Sequence, residues 1–226
     1  MQLVKVWDQE IKGRLWACGD IHGCYSLLMN TLAQVGFDFE NDLLVAVGDL
    51  VDRGLQNIEC VELLDQPWFT SIRGNHEDLC INGLHSAAHK GCHISNGGEW
   101  FYQLDKETMR DIAKKFNELP VVLEVNHQGK KFGFVHGHIE QNDWEKFKET
   151  FSPSLHGFKA AQHAMWGRDR LDIDDQKYTT VSGVDAVFMG HTVVQQVCHR
   201  DNCYFIDIGS CFVGRLAVLD VNGLGL

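Results

Sequence analysis

Leu43-Leu44-Val45-Ala46-Val47 is an unbroken apolar run, and Gly48-Asp49-Leu50-Val51-Asp52-Arg53-Gly54 follows it without a spacer. Consecutive apolar residues of this kind suit a strand buried on both faces. The charged, glycine-bounded loop behind it cannot share that apolar core. Towards the N-terminus, Arg14–Cys18 is a second short apolar run, closed by Gly19-Asp20-Ile21-His22-Gly23. Between the two, Tyr25–Val35 carries Leu28, Leu32 and Val35 at helical spacing. Towards the C-terminus, Ile58, Val61 and Leu64 mark another helix. Phe69–Ile72 then reads as a third strand, closed by Arg73-Gly74-Asn75-His76-Glu77. The order is β-α-β-α-β, the pattern of an α/β layered domain.

Farther out the pattern changes. Residues 79–118 carry helix signals and no clear strand, with Asp105 as N-cap for a helix bearing Met109, Ile112, Ala113 and Phe116 on one face. The segment reads as a helical excursion within one domain spanning residues 1–226. Val121–Val125 and Lys131–Val135 read as strands joined by a turn at His127–Lys130, and Asp143–Ala164 as polar and helical. Ala186–Met189, Val193–Cys198, Tyr204–Ile208 and Leu216–Val221 read as strands, with Asp201-Asn202 a turn.

Composition narrows the function. The 226 residues are 44% hydrophobic and 23% charged, the balance of a globular protein with a real core. The net charge of −11 argues against general nucleic-acid binding and against an anionic membrane surface, since both need basic patches. It leaves a phosphate ester open as substrate, because bound metal ions reverse the local sign. No apolar run spans a bilayer and no secretory signal is visible, so the eight cysteines read as reduced thiols of a cytoplasmic protein.

Two later strands also end in histidine, at Val135-His136-Gly137 and Met189-Gly190-His191-Thr192. Sites in open α/β sheets form beyond the carboxyl ends of strands, so five loops converge on one edge. Asp20, His22, Asp49, Asn75, His136 and His191 are oxygen and imidazole donors without a thiolate, a mix that suits Mn, Fe or Zn. Six such groups are too many for one ion that keeps an open position. They are right for two ions sharing a bridging carboxylate, a pair that clamps attacking and leaving oxygens in phosphoryl displacement. Arg53 and Arg73 stand beside them, and a guanidinium binds two phosphate oxygens at once. Asp52 and His76 remain as a carboxylate–imidazole pair, the makings of a general acid.

The motifs Gly19-Asp20-Ile21-His22-Gly23, Gly48-Asp49-Leu50-Val51-Asp52-Arg53-Gly54 and Gly74-Asn75-His76-Glu77 stand intact and in order. In them the chain resembles the phosphoprotein phosphatase family of metallophosphoesterases, in particular its small bacterial and phage branch. Asn96–Phe101, Trp166–Arg170 and Ile206–Gly209 support the likeness, which covers nearly the whole chain. The resemblance implies the calcineurin-like fold, a central β-sandwich of two mixed sheets flanked by helices. It implies two divalent ions, foremost Mn2+, with Fe or Zn as substitutes. Asp20 and His22 would bind the first, Asp49 would bridge, and Asn75, His136 and His191 would complete the second. Arg53, Arg73 and Arg168 would hold phosphate oxygens, and His76, paired with Asp52, would protonate the leaving group. Hydrolysis would be direct, by water activated on the two ions.

The expected function is a protein phosphatase acting on phosphoserine and phosphothreonine, with phosphotyrosine as a further substrate. Its partners would be phosphoproteins and phosphopeptides, with no dedicated regulatory subunit. A symmetrical dinucleoside tetraphosphate hydrolase on the same scaffold is the alternative, and a catalytically silent metal-binding adaptor a remote one.

Some residues fall outside this pattern. His136-Gly137-His138 stands where the branch usually has His-Ala-Asp. His85, His89 and His93 are four apart and would share a helical face, either as an extra metal site or, as favoured here, as a polar cap near the site mouth. Cys198, His199 and Cys203 read as parts of a hairpin rather than a zinc knuckle. Asp172, Asp174 and Asp175 read as a solvated loop, since the glycine and distal glutamate of a calcium loop are missing.

Overall fold

The computed structural model describes residues 3–152, 154–171 and 176–224. The acidic run at Asp172, Asp174 and Asp175 lies outside them. The strands are β1 Val4–Trp7, β2 Leu15–Cys18, β3 Leu43–Ala46, β4 Phe69–Ser71, β5 Val122–His127, β6 Lys130–Val135, β7 Ala186–Met189, β8 Cys198–Arg200, β9 Cys203–Phe205 and β10 Val218–Asp220. The helices are α1 Tyr25–Val35, α2 Asn57–Glu62, α3 Asn75–Gly83, α4 Ala87–Ser95, α5 Lys106–Glu118, α6 Trp144–Glu149, α7 Leu155–Trp166 and α8 Ser210–Val213.

Two mixed sheets form. One runs β10-β2-β3-β4, with β2, β3 and β4 parallel and β10 antiparallel. The other runs β1-β5-β6-β7-β9-β8, with β6, β7 and β9 parallel. Side-chain alternation explains how they stack. Leu15, Ala17, Leu43 and Val45 meet Leu123, Val125, Phe132, Phe134 and Phe188 in one cluster between the sheets. The neighbouring residues Trp16, Cys18, Leu44 and Ala46 point the other way, onto Leu28 and Leu32 of α1 and Ile112 and Phe116 of α5. On the second sheet Val122, Val135, Val187 and Met189 pack on Trp144, Phe147 and Met165 of α6 and α7. This is the expected sandwich flanked by helices, and the doubly buried strands account for the continuous apolar runs.

Asp105 caps α5 as expected, accepting the Glu107 and Thr108 amides. Three local expectations change. β1 was not anticipated; it pairs parallel to β5 at the sheet edge, half-buried, and so carries little period-2 contrast. Val193–Val197 is no strand: Val193 is exposed and the ladder with β9 begins at Cys198, because the chain is still turning out of the His191 loop. The strand expected over Tyr204–Ile208 stops at Phe205, where Ile206-Asp207 bends towards Gly19. Among the described residues no helix is long and apolar enough to cross a membrane, and no cysteine is in a disulfide.

Candidate metal centre

The loops after β2, β3 and β4 meet those after β6, β7 and β9 where both sheets end. Backbone bonds stitch them: the Ile21 and His22 amides donate to Asp49 O, and Gly190 N donates to His136 O. Others cross between the sheets: His191 N donates to Asp20 Oδ2 at 3.0 Å and His136 Nδ1 to Val47 O at 2.6 Å. Glycine is required at two of these closures. A β-carbon on Gly190 would collide with Asp20 Oδ1, and one on Gly74 with Asp49 Oδ1.

Five non-glycine residues here hold positive φ: His22 (47°), Asp49 (51°), Asp52 (75°), Arg53 (68°) and His191 (66°). Each costs on the order of 1–3 kcal/mol, and such strain gathers where function fixes geometry. Asp20, His22, Asp49, Asn75 and His136 are buried to within 3%. Asp20 Oδ1 and His76 Nε2 are buried without a hydrogen-bond partner.

The donor atoms suit a cation. His22 donates Nδ1–H to Val51 O at 2.9 Å, and His136 does the same to Val47 O. For His22 that leaves Nε2 as the lone-pair nitrogen, the usual arrangement of a metal-binding histidine, whereas the Asp49 carboxylate raises the His136 pKa against burial. His136 Nε2 stands 3.2 Å from Asp49 Oδ2 and 3.0 Å from Asn75 Oδ1. His22 Nε2 stands 3.7 Å from Asp49 Oδ2 and 2.5 Å from Arg53 Nη1. Asp49 belongs to two donor groups, one with His22 and His76 and one with His136 and His191. His76 falls in the first group, but its Nδ1 is bound to Asp52 Oδ2 at 2.6 Å. Burial lowers its pKa; the Asp49 and Asp52 carboxylates outweigh that and raise it overall. The raised pKa favours the protonated ring, the form that can give up a proton.

Burial dominates the other groups. It raises the Asp20 carboxyl well above its usual range, with Asp207 and Asp49 adding to it. It lowers His22 to about 4, and with His136 lowers His191 to about 3, so both imidazoles stay neutral as ligands require. Burial also opposes ionisation of Asp49, but His136 and His76 hold its pKa well below the carboxylate norm. Stacked buried carboxylates beside the neutral rings of His22 and His191 are what bound cations would compensate.

The structure brings the six expected ligand residues together and sets His76 on Asp52. Arg53 is exposed at the rim, its guanidinium 5.3 Å from the Phe212 ring centroid. Arg168 is also at the rim, donating to His191 O at 3.1 Å and Thr192 Oγ1 at 2.9 Å. Arg73 is engaged elsewhere: it donates to the carbonyls of Asn117 at 2.7 Å and Leu119 at 3.2 Å, and lines a cavity of about 600 Å3 with Asp78 and Gln162.

Three contributors were not singled out from sequence, and a fourth, His93, was named only within a polar cap. Glu77 caps α3, accepting Gly74 N at 2.8 Å, and also accepts Asp49 N at 2.9 Å and Leu50 N at 2.8 Å. Its signal is the glutamate at the third position of the helix. Asp207, 2% exposed after β9, adds a carboxylate behind Asp20. His93 and Trp100, from the helical excursion, both reach Asp52. His85 precedes α4 and is exposed, so the three spaced histidines form no joint site. Cys198, His199 and Cys203 lie in the β8–β9 hairpin, as expected.

Residues 13–195 match the calcineurin-like phosphoesterase family. The chain is 31% identical over 227 residues to serine/threonine-protein phosphatase 2 of Salmonella typhimurium, covering 98% of this chain and 100% of that one. It is also 26% identical over 231 residues to an asymmetrical bis(5'-nucleosyl)-tetraphosphatase of Anoxybacillus flavithermus, covering 89% and 87%. A solved protein serine/threonine phosphatase from Saccharomyces cerevisiae shares the fold at TM-score 0.62 and 19% identity, covering 90% of this chain and 70% of that one.

Proposed function

The chain belongs to the calcineurin-like phosphoesterase family, and from that premise we propose that it is a cytoplasmic, metal-dependent protein phosphatase acting on phosphoserine and phosphothreonine, with phosphotyrosine as a further substrate. The observation that carries this reading is the buried His76–Asp52 pair. A serine alkoxide is a poor leaving group and needs a proton as the P–O bond breaks. The phosphate leaving group of a dinucleoside polyphosphate departs as a stable anion and needs none. A buried imidazole held by a carboxylate, with its pKa raised, is what the monoester's leaving group requires. The near full-length likeness to a bacterial serine/threonine phosphatase supports the same choice. Free cysteines among the described residues fit a reducing compartment.

Asp20, His22 and Asp49 would hold one divalent ion, and Asp49, Asn75, His136 and His191 the other. We propose Mn2+, with Fe or Zn compatible with the same donors. The ions would supply Lewis acidity and make water acidic enough to attack near neutral pH. The chain supplies the rest. Arg53 and Arg168 offer guanidinium groups from the rim to phosphate oxygens, where charge gathers in the transition state. Asp52 holds His76 by Nδ1, which aims Nε2 at the leaving oxygen. Glu77 fixes the Asp49 loop against the start of α3.

The test is phosphate release by metal-stripped protein, with Mn2+ restored, on phosphoserine peptide, phosphotyrosine peptide and diadenosine tetraphosphate in parallel. Mn2+-dependent release from the phosphoserine peptide is expected. Cleavage of the dinucleotide alone would move the chain to the nucleotide-hydrolase reading, and no turnover on any of them to the silent adaptor.

A further inference from the structure

His138 is 1% exposed, yet its Nε2 has no hydrogen-bond partner. A buried polar nitrogen left unpaired costs about 1–3 kcal/mol. That atom faces Glu140 Oε2 at 3.4 Å and Asp169 Oδ2 at 3.9 Å. His163 completes the group, with Nε2 3.0 Å from Asp169 Oδ2 and Nδ1 3.3 Å from Glu140 Oε2. The two imidazole rings are 4.6 Å apart. Gly167 permits this approach, since a β-carbon there would lie 2.7 Å from both His138 and His163. Lys177 takes the other Glu140 oxygen at 2.6 Å, which leaves Oε2 to the histidines.

Two imidazoles and a carboxylate, with a fourth position left open, are a donor set for a borderline divalent ion. Tetrahedral bonds of about 2.1 Å set donor atoms roughly 3.4 Å apart. With His163 offering one nitrogen, His163 Nε2 stands 3.0 Å from Asp169 Oδ2 and His138 Nε2 3.9 Å from the same oxygen, and one donor atom from each of the three residues lies within 4.8 Å of the others. Arg170 N lies 3.4 Å from His138 Nδ1, a weak contact. The ring can give it up, carry its proton on Nδ1 and offer the Nε2 lone pair. A cavity of about 270 Å3, lined by His138, Glu140, His156, Lys159 and His163, opens onto the cluster and gives an ion a way in.

We propose that His138, His163 and Asp169 form a third metal site, for a zinc-class ion, separate from the cluster around Asp49, with Glu140 beside it on the far nitrogen of His163. The ion fastens the turn after His136 to the turn that carries Arg168. Arg168 already holds His191 O and Thr192 Oγ1, so the tie fixes the guanidinium at the rim of the central site.

The experiment is equilibrium dialysis of the metal-stripped full chain against Zn2+, with bound metal counted by mass spectrometry. His163→Ala removes a ligand whose side chain is 42% exposed, so the fold is kept, and circular dichroism checks this. Wild type is expected to bind one more Zn2+ per chain than His163→Ala or Asp169→Asn. With Co2+, wild type is expected to show a four-coordinate visible band that His163→Ala loses. Equal zinc counts in wild type and both variants would overturn the site. Asp49→Asn separates the two centres: it is expected to lose central ions and keep the one that His163→Ala removes. If Asp49→Asn strips all zinc, the third site is refuted.

Discussion

His93 Nε2 lies 2.9 Å from Asp52 Oδ2, across 41 residues of chain. The same oxygen accepts His76 Nδ1 at 2.6 Å, and Trp100 Nε1 donates to Oδ1 at 2.7 Å. Tyr102 OH meets His93 Nδ1 at 3.0 Å and steadies the ring. The helical excursion therefore locks the carboxylate that orients His76. His93→Phe fills the space but removes one donor. It is expected to lower kcat on phosphoserine peptide about tenfold, the equivalent of about 1.4 kcal/mol, with KM within about twofold. His93→Gln, which keeps a donor, is expected to recover part of the loss. Steady-state kinetics decide it, and an unchanged kcat in His93→Phe removes the role.

The pH profile follows from the raised pKa of His76. An acid works while protonated, so turnover holds below that raised value and falls as pH climbs through it. Asp52→Asn deletes one of the two carboxylates that raise it, so the alkaline limb of kcat is expected to move to lower pH. His76→Asn is expected to cost about 10²–10⁴-fold on phosphoserine peptide and much less on p-nitrophenyl phosphate, whose leaving group needs no proton. Profiles of both variants check this. An alkaline limb that stays put in Asp52→Asn would remove His76 as the titrating acid.

The sequence made the six-donor cluster legible because each donor stands next to a glycine just past an apolar strand, a local signal repeated along the chain. The doubly buried strands β2 and β3 were readable for the same reason: an apolar run has one physical explanation there. His93 was not, because its role rests on Gly98 letting its ring lie close and on Asp52 arriving from 41 residues away. Asp207 follows an apolar strand like the others, but Ile206-Asp207 lacks the flanking glycine that marked the earlier loops. Val193–Val197 misled by composition: β-branched residues favour strands only where a neighbour pairs with them, and here Val194 N is spent on Asp207 O in a single bond.

The two arginines from the second and third motifs should behave differently. Arg53 is exposed beside His22, so Arg53→Ala is expected to lower kcat/KM about 10²-fold with Tm unchanged. Arg73 is 2% exposed and ties the loop after β4 to the end of α5 through two carbonyls. Bonds from charged donors are worth about 1.5–3 kcal/mol each, and each kcal/mol moves Tm by about 2–4 °C at this size. Arg73→Ala is therefore expected to drop Tm by several degrees. Thermal melts beside kinetics separate the two. A large kcat/KM loss in Arg73→Ala at unchanged Tm would mean that Arg73 leaves those carbonyls to bind phosphate.

Metal and stability are coupled through Asp20. Burial, then Asp207 and Asp49, raise its folded pKa above the unfolded value of 3.8. A group shifted this way contributes stability below its unfolded pKa and loses it as pH rises through the folded one. At pH 7 the metal-free chain therefore carries Asp20 as a cost, and Asp20→Asn is expected to raise its Tm by a few degrees, against the usual direction for a site mutation. Mn2+ at about 100 times its Kd should add about 2.7 kcal/mol per site to wild type, which is roughly 5–11 °C at about 2–4 °C per kcal/mol. The same addition should shift Asp20→Asn by clearly less, because the charge that the ion relieves is gone. Differential scanning fluorimetry with EDTA and with Mn2+ measures both. A metal-free Asp20→Asn that melts below wild type, with an undiminished Mn2+ shift, would remove Asp20 from the metal centre.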